Sequence, residues 1–177
     1  RHQPMIMTNT LRQKLSQGAA TLGTHFLSND PDIPEIIGDA GLFDYGEYCA
    51  EYSAFDMATL YHMARAGQCA DLPLMLKPDQ ASQAALGAGF KAILFTDIRT
   101  PEDVATCHQI IAADTPESGG HMGVKLRRPA LGGYQPDEYL DDLNATVFTI
   151  MIEKNIALDN IDAILDVARD KGVDMTQ

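Results

Sequence analysis

The sequence predicts an α/β protein built on a parallel sheet, a (β/α) barrel of which about six strands are represented, in one domain spanning residues 1–177. Three observations carry this expectation. Apolar, strand-like runs alternate with helical patterns along the chain, separated by short Gly, Pro or Asp punctuation, which is the mark of βαβ units. The run Val147 to Ile152 is β-branched and apolar almost throughout, as expected of a parallel strand covered by helices rather than one with a wet face. It ends in Glu153-Lys154, and in such a barrel the carboxyl ends of the strands form the active face.

The elements follow in order. Thr8 to Gln17 reads as a short amphipathic helix with Leu11 and Leu15 four apart, stopped by Gly18. Ala20 to Leu27 is a strand. Asp30-Pro31 opens a helix whose first turn holds Asp32 and Glu35, favourable near a positive helix terminus, and Gly41 ends it. Phe43 to Glu51 is the second strand. Ala54 to Ala70 is a helix with Met57, Leu60, Tyr61 and Ala64 on one face, and Leu72 to Lys77 is a strand closed by Pro78. A short helical piece, Gln80 to Leu86, precedes the strand Lys91 to Thr96. Thr100-Pro101-Glu102-Asp103 is a strong helix opening, with a capping Thr, Pro in the first turn and two acids. Asp114 to Pro136 is a long Gly- and Pro-rich loop whose Lys125, Arg127 and Arg128 suit an anionic ligand, an acidic neighbouring subunit or plain solvent. Pro136 to Leu143 is a short helix, Leu158 to Asp170 a longer one, and Val173 to Gln177 a sixth strand.

Composition excludes several classes of function. Twenty-five acids against 13 Lys and Arg give a formal charge of -12. A phosphate backbone or an anionic membrane surface is therefore a poor partner. The three cysteines, Cys49, Cys69 and Cys107, are widely spaced without a Cys-x-x-Cys pair, which suits a reducing compartment and reads as small buried hydrophobes. No apolar run approaches the length needed to cross a bilayer, and Arg1 to Asn9 lacks the apolar core of a secretion signal, so a cytoplasmic protein is expected.

Several side chains stand where chemistry is expected. Glu153, at the tip of the most apolar strand, is placed for a catalytic or metal-binding carboxylate, or is the first solvated residue after the strand. Lys77 also ends an apolar strand. Glu47 and Glu51 read as strand-terminal acids on one face; Glu51 could bind metal through water or orient a base, whereas Glu47, deeper in the strand, reads as having no role. His25, at the end of the first strand, is either a proton-transfer group or structural. His62 and His108 fall inside helices and read as surface residues, and Met57, Met63, Met75, Met122 and Met151 read as core or loop filler.

Taken together, these motifs resemble the HpcH/HpaI aldolases, class II metal-dependent pyruvate aldolases on a (β/α)8 TIM barrel. Leu22-Gly23-Thr24 followed by Asp30-Pro31 is similar to that family's opening strand and proline turn, and Gly41-Leu42-Phe43-Asp44 to its entry into the second strand. Lys77-Pro78 resembles the basic residue and proline that end its third strand. Gly89-Phe90-Lys91-Ala92-Ile93-Leu94-Phe95 resembles the fourth strand, Glu153 the metal-binding acid ending the fifth, and Gly172-Val173-Asp174 the start of the sixth. Six motifs occur in the right order over nearly the whole chain.

The resemblance implies reversible aldol cleavage of a 4-hydroxy-2-oxo acid to pyruvate and an aldehyde, with Glu153 holding Mg2+ or Mn2+, Lys77 neutralising the substrate carboxylate or enolate oxygen, and assembly as a homo-oligomer between dimer and hexamer. Hard oxygen ligands suit those ions rather than thiolate-loving metals. Departures are also visible. Glu51-Tyr52 stands where many members have Glu-His, the His being the general base, and a tyrosine phenol cannot replace imidazole at neutral pH without help from a metal or cation. Lys77 stands where they have Arg, which keeps the charge and loses the bidentate fork. The family's second metal-binding Asp and last two strands are expected beyond Gln177, in the rest of the protein or from a partner subunit. Two other classes remain open: a Schiff-base aldolase with Lys77 as nucleophile, and a non-catalytic barrel that binds a keto acid or serves assembly.

Overall fold

The computed structural model describes residues 7–77, 81–124 and 135–177. Pro78, the start of the helix placed at Gln80, and the basic trio Lys125, Arg127 and Arg128 lie outside the described residues. Six strands form one sheet in sequential order: β1 (Gly23–Phe26), β2 (Tyr45–Cys49), β3 (Leu74–Lys77), β4 (Ala92–Phe95), β5 (Val147–Ile150) and β6 (Met175–Thr176). Every neighbouring pair is parallel. Among the described residues β1 and β6 are the outer strands, so the sheet is an open part of a barrel, as the alternation of elements predicts.

The helices are α1 (Thr10–Ser16), α2 (Asp32–Asp39), α3 (Met57–Cys69), α4 (Ser82–Ala88), α5 (Pro101–Ile111), α6 (Pro136–Asn144), α7 (Asn155–Asp159) and α8 (Ile161–Asp170). Period-two alternation divides the strands between two apolar faces. Phe26, Tyr48, Leu74, Leu76, Ile93, Phe95, Phe148 and Ile150 pack with Leu60 and Met63 of α3, Val104 of α5 and Ile164 of α8. Tyr45, Met75, Ala92, Leu94 and Val147 form the inner face, closed at its amino end by Leu11 and Leu15 of α1. Both faces are thus buried, which explains the near-continuous apolar runs.

Polar contacts lock α1 in place. Asn9 Nδ2 donates to the carbonyls of Lys91 (2.9 Å) and Ala145 (2.7 Å). The Arg12 guanidinium grips the Asp174 carboxylate through both terminal nitrogens and also donates to the Thr146 and Ala145 carbonyls. Asp174 in turn accepts the Phe148 N–H at 2.8 Å, tying the entry of β6 to β5. Lys91, 3% exposed at the start of β4, pairs with Asp142 of α6 at 2.6 Å.

Several sequence expectations need correction. The second strand stops at Cys49, and Ala50–Tyr52 is a 3-10 turn, so Glu51 is not a strand residue. The buried face of α3 is Leu60, Met63, Ala64, Ala66 and Gly67, leaving Met57 exposed. A side chain at position 67 would meet the Leu72 carbonyl oxygen at 2.8 Å, so glycine lets α3 lie close over the approach to β3. Cys69 is exposed, unlike Cys49 and Cys107. His108 is half-buried, its ring 6.2 Å from that of Phe148, and burial pushes its imidazole below the ordinary histidine range. The helix expected from Leu158 is two helices breaking at Asn160, whose amide donates to the carbonyls of Arg99 (3.1 Å) and Ile156 (3.0 Å). The first part of the long loop is folded back: Ala113 bridges Met122, and both pack with Tyr139 and Leu143 of α6.

Candidate active site

At the carboxyl end of the sheet two groups of charged side chains form. Lys77, the last residue of β3, is largely buried and faces Glu51, its Nζ 3.6 Å from Oε2. The 3-10 turn that follows β2 carries Glu51 over the strand end, with Ser53 Oγ fixed 2.9 Å from the Tyr48 hydroxyl just beyond it. Tyr52, on the same turn, is 73% exposed. Cys49 is paired in register with Lys77. Burial pushes its thiol up, the nearby Lys77 charge pulls it down, and Glu47 and Glu51 push it up again. This cysteine is a protonated lining residue rather than a thiolate nucleophile.

Below this level lies a polar layer. His25 of β1 pairs in register with Glu47 of β2, which places both on one face of the sheet. Glu47 is 8% exposed and accepts a hydrogen bond from Gln177 Nε2 at 3.1 Å. Glu47, read from the sequence as an acid with no role, is a buried carboxylate tied to the chain beyond β6. Thr149 of β5 is fully buried and its Oγ1 has no hydrogen-bond partner among the described residues.

The second group is built on β4 and β5. The ladder runs past Ile150, since Met151 N donates to Phe95 O (2.9 Å) and Ile152 N to Gln177 O (2.8 Å). These bonds hold the backbone that presents Glu153, an exposed acid immediately beyond. Lys154 Nζ lies 3.4 Å from Glu153 Oε1 and 2.9 Å from Asp97 Oδ1. Asp97 follows β4 much as Glu153 follows β5, and has a left-handed backbone, φ 59°, that a non-glycine residue rarely adopts. Its neighbour Ile98 is buried, and the Thr100–Asp103 capping box of α5 fixes the chain just beyond. The hydrogen bond from Lys154 holds the Asp97 carboxyl below its ordinary range and, reciprocally, Asp97 raises the Lys154 ammonium. Asp97 escaped the sequence reading; an acid directly after the strand Lys91 to Thr96 was the available signal.

The structure therefore joins Lys77 to Glu51 and Glu153 to Asp97 through Lys154, with no ion pair linking the two groups among the described residues. His25 is exposed on β1, in register with the buried Glu47, and Tyr52 belongs to the exposed rim. No group of three His, Cys, Asp or Glu side chains able to hold a metal occurs among the described residues. Two carboxylates nonetheless converge on one cation, the Lys154 ammonium. Hard oxygens in that arrangement fit Mg2+ or Mn2+ in kind, because Mg2+ is usually held by one or two carboxylates with water and substrate completing its sphere.

No protein-family model matches the chain. Over 175 residues, 95% of its length, it is 25% identical to the 2-keto-3-deoxy-L-rhamnonate aldolase of Escherichia coli. It is 26% identical over 176 residues to the protein of that name from Salmonella paratyphi B. The chain spans 64% of the length of each of these relatives. Among solved structures, an HpcH/HpaI aldolase/citrate lyase family protein from Burkholderia cenocepacia superposes with a TM-score of 0.77 at 25% identity, covering 96% of this chain and 68% of that one. An HpcH/HpaI aldolase from Desulfitobacterium hafniense superposes with a TM-score of 0.76 at 26% identity, covering 94% and 64%. Over almost its whole length the chain is thus similar in sequence to these aldolases, and its six-stranded parallel sheet agrees with the fold of the HpcH/HpaI aldolase structures.

Proposed function

We propose that this chain forms most of the active face of a metal-dependent aldolase that cleaves a 4-hydroxy-2-oxo acid to pyruvate and an aldehyde. The observation that carries the reading is the pairing of a cationic subsite, Lys77 over Glu51, with a carboxylate subsite, Glu153 beside Asp97, on the carboxyl ends of one parallel sheet. Glu153 would hold the divalent ion, whose bound charge supplies stabilisation of the pyruvate enolate. Lys77 binds the substrate carboxylate as a point charge, and Glu51 fixes the direction of its flexible stem. Partial burial of Lys77 strengthens that contact by keeping water from competing for it. Tyr52 and His25 are the chain's proton-transfer candidates: the exposed phenol can meet a substrate hydroxyl at the rim, and the imidazole stands beside a buried carboxylate that can orient it.

The test is aldol cleavage of 4-hydroxy-2-oxo acids by the full-length protein, followed as pyruvate release, before and after chelation. Activity is expected to vanish in excess EDTA and return with Mg2+ or Mn2+. Cleavage that persists in EDTA, with borohydride trapping a pyruvate adduct on Lys77, would replace the metal reading by a Schiff-base one. The Glu51 counter-ion at 3.6 Å argues for the former, since it suits an anion-binding ammonium better than a neutral amine nucleophile. Absence of any cleavage, with or without metal, would leave the non-catalytic barrel.

A further inference from the structure

The residue next to the proposed metal ligand is a lysine, and its ammonium lies against the Glu153 carboxylate that the ion would use. Lys154 Nζ is 3.4 Å from Glu153 Oε1 and 2.9 Å from Asp97 Oδ1. We infer that Lys154 is an internal competitor for the divalent ion, which binds Glu153 only by displacing the lysine ammonium onto Asp97. This rests on the metal-dependent reading above and adds to it a residue that sets how tightly the ion is held.

Geometry makes the exchange workable rather than blocking. The shorter contact is with Asp97, so the lysine has somewhere to remain when Glu153 turns to a metal ion. Asp97 is held by its own left-handed backbone, by the buried Ile98 that follows and by the capped start of α5 beyond, so it does not follow the lysine. Lys154 itself sits in extended backbone just before α7, and its side chain is 40% exposed, leaving its long stem free to swing. Because all three side chains are substantially solvated, screening limits the penalty on metal binding to a small factor.

Mn2+ binding to the full-length protein, measured by calorimetry or by the spin-resonance signal of the free ion, reads this without any turnover. Lys154→Met is expected to tighten Mn2+ binding by about three- to tenfold, the scale of an exposed charge pair. Lys154→Arg, which keeps the charge, is expected to stay close to the natural protein, and Glu153→Gln to lose the site. Loss with Glu153→Gln but unchanged or weaker binding in Lys154→Met overturns the competition and leaves the metal reading standing. Unchanged binding in Glu153→Gln overturns both. These exposed side chains lie outside the apolar clusters, and far-ultraviolet circular dichroism checks that each variant is folded.

Discussion

The two ends of the sheet are made of similar residues used in opposite ways. At the amino end, Arg12 meets a carboxylate with both terminal nitrogens and also donates to two carbonyls, Lys91 is almost fully buried against Asp142, and Asn9 Nδ2 donates to two carbonyls. At the carboxyl end, Lys77 and Glu51 stand 3.6 Å apart, beyond a good hydrogen bond, and Lys154 is shared between two exposed acids. Among the described residues, these amino-end side chains are engaged with one another and with backbone carbonyls. Charges at the other end are held in place by longer or more exposed contacts, which the proposed function uses. This is the division expected of a (β/α) barrel, where one face serves stability and the other chemistry.

The comparison is broken most severely by exchanging which end a substitution affects. Glu153→Gln is expected to lower turnover by about two to three orders of magnitude, the cost of removing one preorganised charge-stabilising group. Its melting temperature should stay close to that of the natural protein, because the acid is exposed and paired only at the surface. Steady-state kinetics and a thermal melt on the same sample decide it; a large loss of stability would mean that the carboxyl end is structural too. Arg12→Ala should show the reverse. It takes the guanidinium from Asp174, which keeps only the Phe148 N–H, and from the Thr146 carbonyl in a partly buried site, and should cost about 2–3 kcal/mol of stability in denaturant titration. Turnover per folded molecule should be retained.

Much of the fold could be read from the sequence, and the reason is local. The capping box of α5 needs only Thr100 and Asp103 three residues apart, and the strand runs need only apolar continuity, so both were legible. Asp44 stood out as part of a family motif; its physical role needed the fold, since it accepts the Leu22 N–H at 2.8 Å and pairs with Lys14. Glu51 was placed on a strand because its backbone turns into a 3-10 helix for a tertiary reason, the need to reach over Lys77. The pairing of Asp97 with Lys154 was missed because it spans 57 positions, 154 − 97, although each residue stands just beyond a strand. The break at Asn160 likewise depends on the distant Arg99 carbonyl. What was hidden is what long-range contacts decide.

The smallest effect sharpens the account of the amino end. Asp44, entering β2, is held below the ordinary carboxylate range, first by its hydrogen bond from Lys14 and then by the Leu22 N–H. A carboxylate whose folded pKa is depressed binds fewer protons folded than unfolded between those two values, so stability rises with pH across that window. The contribution is complete above the ordinary value of 3.8 and disappears as pH falls through the depressed one. Asp44→Asn keeps an oxygen to accept the Leu22 N–H and removes only the charge. At pH 7 it should cost about 0.5 kcal/mol, discounted to the scale of a solvent-screened ion pair. The deficit should be unchanged down to about pH 5, where both states are still ionised, and should close below 3.8 until the two proteins unfold at the same denaturant concentration. A deficit that persists in acid would assign the effect to the Leu22 hydrogen bond rather than to charge, and would make this corner of the amino end a neutral anchor instead of an ion pair.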